Sequence, residues 1–372
     1  MRQMRSFRQR AFISTLVAAI MAVATIASAQ VTPAAGYTPP DDTPVIRIGA
    51  TIFGDYTIQD KPKITDADNN SVTLNQFNVG RAYINVTGNI SHRIAFRITP
   101  DIVRETGTGS SLNGSLSYRL KYAYGQFNLD DWMTRGSWVR FGMQQTPWID
   151  FMETVYRYRF QGTVFEDRES FLSSSDVGAS FHYNFKNNYG DVHAGLYNGE
   201  NYNRPEVNDQ KGFLIRGTVR PLPMGSLALR GLRVTGFYDA DHVVKDADRT
   251  RGIVALTYEH QYVNASFDYL KATDQSRVIN PKLDSEGFSF WVTPKTTKGW
   301  EGLLRFDHLE RETSATVKGT TDRTIAGVSY WFPHQGTVST VLLLDFENVK
   351  NKDYNPVRVD ERRWALHMLV NF

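Results

Sequence analysis

The chain ends Trp364-Ala365-Leu366-His367-Met368-Leu369-Val370-Asn371-Phe372, and counting back from the terminal aromatic every second position is apolar: Phe372, Val370, Met368, Leu366 and Trp364. A period of two belongs to an extended strand, whose successive side chains leave opposite faces. The same period recurs far upstream. In Ile46-Arg47-Ile48-Gly49-Ala50-Thr51-Ile52 and in Arg93-Ile94-Ala95-Phe96-Arg97-Ile98-Thr99 the even positions are apolar, and in the second stretch arginines hold odd ones.

Between these stretches the pattern continues through residues 77–88, 116–126, 138–143, 177–185, 192–197, 213–219, 232–238 and 253–258. It resumes at 262–271, 288–292, 300–308, 324–332 and 338–348, so that with the two quoted segments and the terminus the reading predicts sixteen strands. No 18-residue apolar segment lies beyond residue 30, which excludes spanning helices, whereas the strands of a membrane barrel need only about 9 to 11 residues each. The expected fold is therefore all-β: a transmembrane antiparallel β-barrel over residues 44–372.

The N-terminus bears on compartment. Arg2, Arg5, Arg8 and Arg10 precede an apolar run from Leu16 to Ile26 and then Ala27-Ser28-Ala29, the three-part order of a secretory signal. Residues 1–29 are read as a cleaved signal peptide. The competing reading, a membrane anchor, asks for about 18 apolar residues, more than the run offers. Residues 30–43, with Pro33, Pro39, Pro40 and the adjoining Pro44, form a Pro-rich periplasmic lead-in. The full chain holds 42 Lys+Arg against 39 Asp+Glu; losing the four leader arginines leaves 38 against 39, a net of −1, which gives no reason to expect nucleic acid. Cysteine is absent, so an exported chain must draw its stability from packing or from closed hydrogen bonding.

Connections test the topology, because bacterial barrels alternate short periplasmic turns with longer external loops. Residues 59–71, 104–114, 144–176, 199–210, 273–284, 310–321 and 350–360 read as the longer set, with short links such as Asn89-Ile90-Ser91 and His260-Gln261 between them; 221–230 and 293–298 are long for turns. A soluble sandwich would alternate as well. What separates the two is Tyr and Trp toward strand ends, as in interfacial girdles, together with the C-terminus, which looks like the terminal strand signal read by barrel assembly machinery. Trp364, Leu366, Met368, Val370 and Phe372 carry that signal.

Some segments carry a sharper likeness. Gly80-Arg81-Ala82-Tyr83-Ile84-Asn85-Val86-Thr87-Gly88, continuing to Phe96-Arg97-Ile98-Thr99-Pro100-Asp101, resembles the second hairpin of the phosphate-selective porin O and P family. Tyr124-Gly125-Gln126-Phe127 and Val139-Arg140-Phe141-Gly142-Met143-Gln144-Gln145-Thr146-Pro147-Trp148 are similar to its next hairpin and the approach to its constriction loop. The resemblance implies a sixteen-stranded porin, a homotrimer in the bacterial outer membrane, passing small anions or polar solutes by diffusion. No lysine cluster of that family is matched residue by residue, so phosphate preference does not follow.

With the apolar parity facing lipid, Arg81, Arg93, Arg97, Arg119, Lys121 and Arg140 form a basic ladder on the inner wall of four consecutive strands. Asp268, Glu301, Asp307, Asp345 and Glu347 fall on an opposing acidic wall, and opposed signs would set a transverse field that sorts solutes. The bland alternative is a wide lumen of solvated, paired charges. The connection 144–176 is the third external loop. A loop of that length is expected to be functional, folding into the barrel and narrowing it, with Arg157, Arg159 and Arg168 attracting anions and Asp150, Glu153 and Glu166 as counter-charge. The alternative is an ordinary surface loop.

Other chemistry is sparse. Asp66-Ala67-Asp68-Asn69-Asn70 begins like a calcium loop, but Ser71 stands where Gly belongs and Phe77 where the closing Glu belongs. No metal-spaced histidine pair, G-x-S-x-G or P-loop occurs, so neither metal nor cofactor is expected. Two other classes stay open: a barrel enzyme of phospholipase or protease type, with a Ser/His or Asp/His pair at its rim, and a structural or adhesive barrel with a plugged lumen.

Overall fold

A computed structural model describes residues 42–107, 109–334 and 338–372. The leader and nearly all of the Pro-rich lead-in lie outside the described residues. The alternating segments form sixteen strands, β1 (Val45–Thr65), β2 (Ser71–Asn89), β3 (Ile94–Arg104), β4 (Leu116–Asn128), β5 (Trp138–Gln145), β6 (Ser175–Asn184), β7 (Gly190–Tyr197) and β8 (Gly212–Val219) making the first half. The second half is β9 (Leu232–Asp241), β10 (Arg249–His260), β11 (Val263–Asp274), β12 (Leu283–Pro294), β13 (Trp300–Ser314), β14 (Val317–Trp331), β15 (Ser339–Lys352) and β16 (Glu361–Asn371). Each strand pairs antiparallel with its sequence neighbours, and β16 pairs with β1, closing a barrel with no free edge.

Closure happens at the terminal strand. Phe372 donates its N–H to the Ala50 carbonyl (3.0 Å) and accepts from the Ala50 N–H (2.9 Å), while Met368 stands opposite Gly54 and Leu366 opposite Tyr56. Burial alternates as the sequence does. On β10, Arg251, Ile253, Ala255 and Thr257 are buried while Val254 and Leu256 are exposed; on β13, Leu303, Arg305 and Asp307 are buried while Leu304 and Phe306 are exposed. The apolar parity therefore faces outward. Trp364, Leu366, Met368 and Phe372 lie on that exposed face. Outward aromatics pair, Trp300 with Tyr330 at 5.0 Å at strand ends and Phe346 with Trp364 at 4.8 Å further along the wall. No described helix is long and apolar enough to cross a membrane.

Two connections are much shorter than expected. β1 and β2 continue to Thr65 and from Ser71, leaving only residues 66–70 as a turn, and β13 and β14 run on to Ser314 and from Val317. Their polar ends keep pairing because cross-strand partners suit one another: Glu312 faces Lys318, and Lys318 Nζ reaches Glu310 at 2.5 Å. The calcium-like segment is the first of these turns. Asp66 spends its carboxylate on the N–H groups of Asp68 (3.0 Å) and Asn70 (2.8 Å), as an Asx turn does.

An irregularity in register shapes the lumen. Thr99 faces Tyr122 but Pro100 faces Leu120, so Lys121 is the extra residue of a bulge, set beside a proline that has no N–H for the ladder. Lys121 and Tyr122 are consequently both buried, which strict alternation would not allow. The third long connection carries two helices, α1 (Pro147–Val155) and α2 (Phe165–Arg168).

Candidate functional site: the lumen and its third loop

Pro147 begins α1, where a missing N–H costs nothing, and Trp148, Ile149, Met152 and Val155 form its buried stripe. That stripe belongs to the same apolar cluster as Leu214, Phe237, Ile253, Leu270, Trp291 and Leu303, the inward-facing residues of β8, β9, β10, β11, β12 and β13. Trp148 sits 5.7 Å from Phe237, and Tyr156 5.2 Å from Trp291.

Polar contacts continue the docking toward β13–β15. Arg157 Nη1 lies 3.2 Å from Glu301 Oε1, and the Tyr158 hydroxyl donates to Glu301 Oε2 at 3.0 Å. Gln161 Nε2 donates to Glu347 Oε2 at 3.1 Å, with Arg168 Nη2 at 3.4 Å from the same oxygen. Glu169, at the end of α2, meets Arg323 of β14 at 2.6 Å. Arg159 pairs within the loop with Glu153 at 2.7 Å, and burial raises the Glu153 carboxyl above the usual range. Asp150 faces a cavity on the short-turn side of α1. Glu166 is fully buried against Asp268 of β11, and desolvation pushes its carboxyl up to about 7.

The acidic wall is not the open counter-charge that the sequence suggests. Asp307 is held by Arg305 at 2.8 Å, Glu347 by Arg323 at 3.0 Å and by Arg363 at 2.6 Å, and Asp345 stands 3.4 Å from His367. With the loop arginines added, every acidic residue of the set except Asp268 has a cationic or histidine partner within 4 Å. A carboxylate withdrawn from water is costly unless paired, and of these pairs Glu301 with Arg157 and Glu347 with Arg168 fix the loop to the wall. The wall arginines share the odd parity of Glu301 and Asp307, so Arg305 and Arg323 were findable by the rule that picked out the acids.

The basic side differs. Arg97 donates to Asn85 Oδ1 at 3.0 Å and lies 4.4 Å from the Tyr122 ring; Arg119 donates to the Tyr202 hydroxyl at 2.7 Å. Arg140 donates to Gln126 Oε1 at 2.8 Å and stacks 3.7 Å over Trp138, and Lys121 reaches the Tyr83 hydroxyl at 3.3 Å. Of the five that line the lumen, Arg81 alone meets a carboxylate among the described residues, Asp101 at 2.9 Å. Neutral partners position Arg97, Arg119 and Arg140 without cancelling them. Lys121 and Arg140 are nearly covered, at 1% and 2% exposure, so Arg140 acts on a passing ion through its field and not by contact. Arg93 is not part of the ladder: it precedes β3, in the turn, where Asp131 at 2.8 Å and the Trp132 ring hold it at the short-turn rim.

The remaining lumen is divided by the loop. On its long-loop side a cavity of about 640 Å³ is lined by Glu169, Tyr202, Arg249, Arg251 and Arg311, and another of about 260 Å³ by Asp55, Gln76, Asn78, Arg81 and Arg159. On the short-turn side a cavity of about 250 Å³ carries Arg47, Arg97, Gln126 and Arg140, and a larger one lies under α1. Among the described residues no group of three or more histidine and acidic side chains is arranged to hold a metal ion. Asp/His pairs do occur, among them Asp322 with His308 at 2.7 Å and Asp191 with His182 at 3.0 Å, the other ring nitrogen of His182 being spent on the Gly136 carbonyl at 3.1 Å.

No protein-family model matches this sequence, and no curated protein matches it in sequence. Solved structures match its fold. The trimer form of in-vitro folded OmpT, an outer membrane protein of Vibrio cholerae, superposes with a TM-score of 0.59 at 13% identity, covering 89% of this chain and 100% of that one. An anion-selective porin from Comamonas acidovorans gives 0.59 at 9% identity over 89% and 100%. The outer membrane channel DcaP of Acinetobacter baumannii gives 0.58 at 12% identity over 91% and 100%. At these identities the likeness is one of fold, that of porin-like outer-membrane barrels.

Proposed function

We propose that this chain is an outer-membrane porin, a passive channel for ions and small polar solutes with a preference for anions, and not an enzyme. The observation that carries the reading is the asymmetry of the lumen. Of its wall carboxylates Glu301, Asp307 and Glu347 are paired with arginines, whereas Arg97, Arg119 and Arg140 have neutral partners only. A passage with uncancelled positive charge and low-dielectric walls favours anions. The third loop narrows that passage, since it is docked by both apolar and ionic contacts across the barrel. Export by a cleaved leader, insertion by the assembly machinery through the C-terminal strand, and association as a homotrimer complete the proposal. The fold likeness to the trimer form of OmpT supports the last of these. Phosphate is one anion the ladder suits, and it stays a candidate solute.

The test is reconstitution of the purified mature protein in a planar bilayer, with reversal potentials in a KCl gradient and again with phosphate. Stepwise conductance with anion preference is expected. Correctly folded protein that never conducts would overturn the channel reading and bring the enzyme or structural barrel forward.

A further inference from the structure

Under α1, at the short-turn end of the barrel, lies a cavity of about 770 Å³ that the ladder of β2–β5 does not account for. Its charged lining is Arg135, Lys186, Arg216, Arg220 and Arg233 against Asp150 and Asp191, and His182 and His193 also face it. Asp191 is already committed to Arg216 and His182. Positive charge is therefore in excess within a concave, walled space.

The side chains show what is missing. Arg233 is 3% exposed; its Nη2 pairs with Glu259, but its Nε and Nη1 are buried with no hydrogen-bond partner. Arg220 Nη1 and His193 Nε2 are likewise buried without partners, and His193 is 1% exposed. Orphaned guanidinium donors are costly, and here they belong to Arg233 of β9 and Arg220 of the turn after β8, which line one cavity together with His193 of β7. Arg220 also feels the crowding: burial and the charge of Arg233 pull its guanidinium down to about 10. A bound anion would relieve both the unmet donors and the repulsion.

We infer that this cavity is a binding site for a small multivalent oxyanion, phosphate or polycarboxylate, gripped by Arg220, Arg233 and His193. Aromatic stacking does not contribute, because the Trp138 faces are occupied by His182 and Arg140, and Phe151 lies under Arg216. The site is separate from the ladder and does not require the chain to conduct.

Equilibrium titration calorimetry on the full chain folded in detergent, at low salt, tests it with inorganic phosphate and, separately, with citrate. Saturable binding of at least one is expected, weakened about tenfold or more in Arg220→Gln and in Arg233→Gln, and unchanged in the exposed-loop control Lys211→Gln. Phosphate alone would assign a phosphate-bearing ligand; citrate alone, a polycarboxylate. Arg233→Gln leaves the half-buried Glu259 without its partner, so the Arg220 variant, in a turn, decides if the other misfolds. No saturable binding of either probe, or binding as tight in Arg220→Gln as in the parent, overturns the site whether or not the barrel conducts.

Discussion

Glu301, on β13, holds two consecutive residues of the third loop at once: Arg157 Nη1 at 3.2 Å and the Tyr158 hydroxyl at 3.0 Å. One wall carboxylate thus ties down a segment more than 140 residues away in sequence, and Tyr158 also meets Ser329 of β14 at 2.8 Å. Replacing Glu301 by Gln removes a charge-assisted contact and is expected to weaken loop docking by about 1–3 kcal/mol. Single-channel recording should then show larger or noisier conductance steps than the parent. Steps of identical size and noise would mean that the loop does not set the opening.

Selectivity should follow the uncancelled charges. A unit charge about 7 Å from a passing ion in a water-like dielectric is worth about 0.6 kcal/mol, a factor of roughly three in local ion concentration. Removing Arg97 and Arg119 together by Ala is expected to lower the anion-to-cation permeability ratio several-fold toward unity, read from the reversal potential in a KCl gradient. An unchanged ratio would show the ladder to be inert.

The acidic wall should respond with the opposite sign. Glu347 accepts from Gln161, Arg168, Arg323 and Arg363, so Glu347→Gln leaves several guanidiniums without their carboxylate. Anion preference is expected to rise in the same measurement, provided the barrel folds. A fall would mean that these arginines turn away from the passage once released.

Glu166 gives stability a pH dependence. Its carboxyl is pushed up to about 7 from 4.5 by burial, so between those values the folded chain keeps a proton that the unfolded chain has lost. Stability therefore falls as pH rises through that window, by at most about 3 kcal/mol, and is flat above it. Denaturant midpoints of the detergent-folded barrel should be lower at pH 8 than at pH 5, and Glu166→Gln should remove much of the difference. Equal slopes in parent and variant would assign the effect elsewhere.

Phe372 is expected to matter for assembly. Its two backbone hydrogen bonds to Ala50 close the barrel seam, and its ring lies on the exposed apolar face. Deleting it should lower the fraction of chain that reaches the folded, heat-modifiable form on gel electrophoresis. A deletion variant that folds in full yield would show the terminal residue to be dispensable.

Sixteen strands, their order and the inward parity of most charged residues were legible because side-chain alternation is a local property of an extended chain. Where local geometry broke, legibility failed. The bulge opposite Pro100 turned both Lys121 and Tyr122 inward, and polar hairpin ends near Thr65 and Ser314 paired where unpaired loops were expected. Arg93 carried the right parity but fell one residue short of β3.

The sequence by itself determined that the chain alternates, closes with an apolar terminal strand, and places arginines and carboxylates on one face of its strands. Only the tertiary structure decided which of those charges cancel. Pairing depends on distance across the lumen, as between Arg157 and Glu301 or Arg168 and Glu347, and residues so far apart in the chain carry no local signal of their meeting. The charges left over, on the ladder and under α1, are the remainder of that three-dimensional pairing, because a carboxylate taken out of water must find a partner and the cations beyond its reach keep their field.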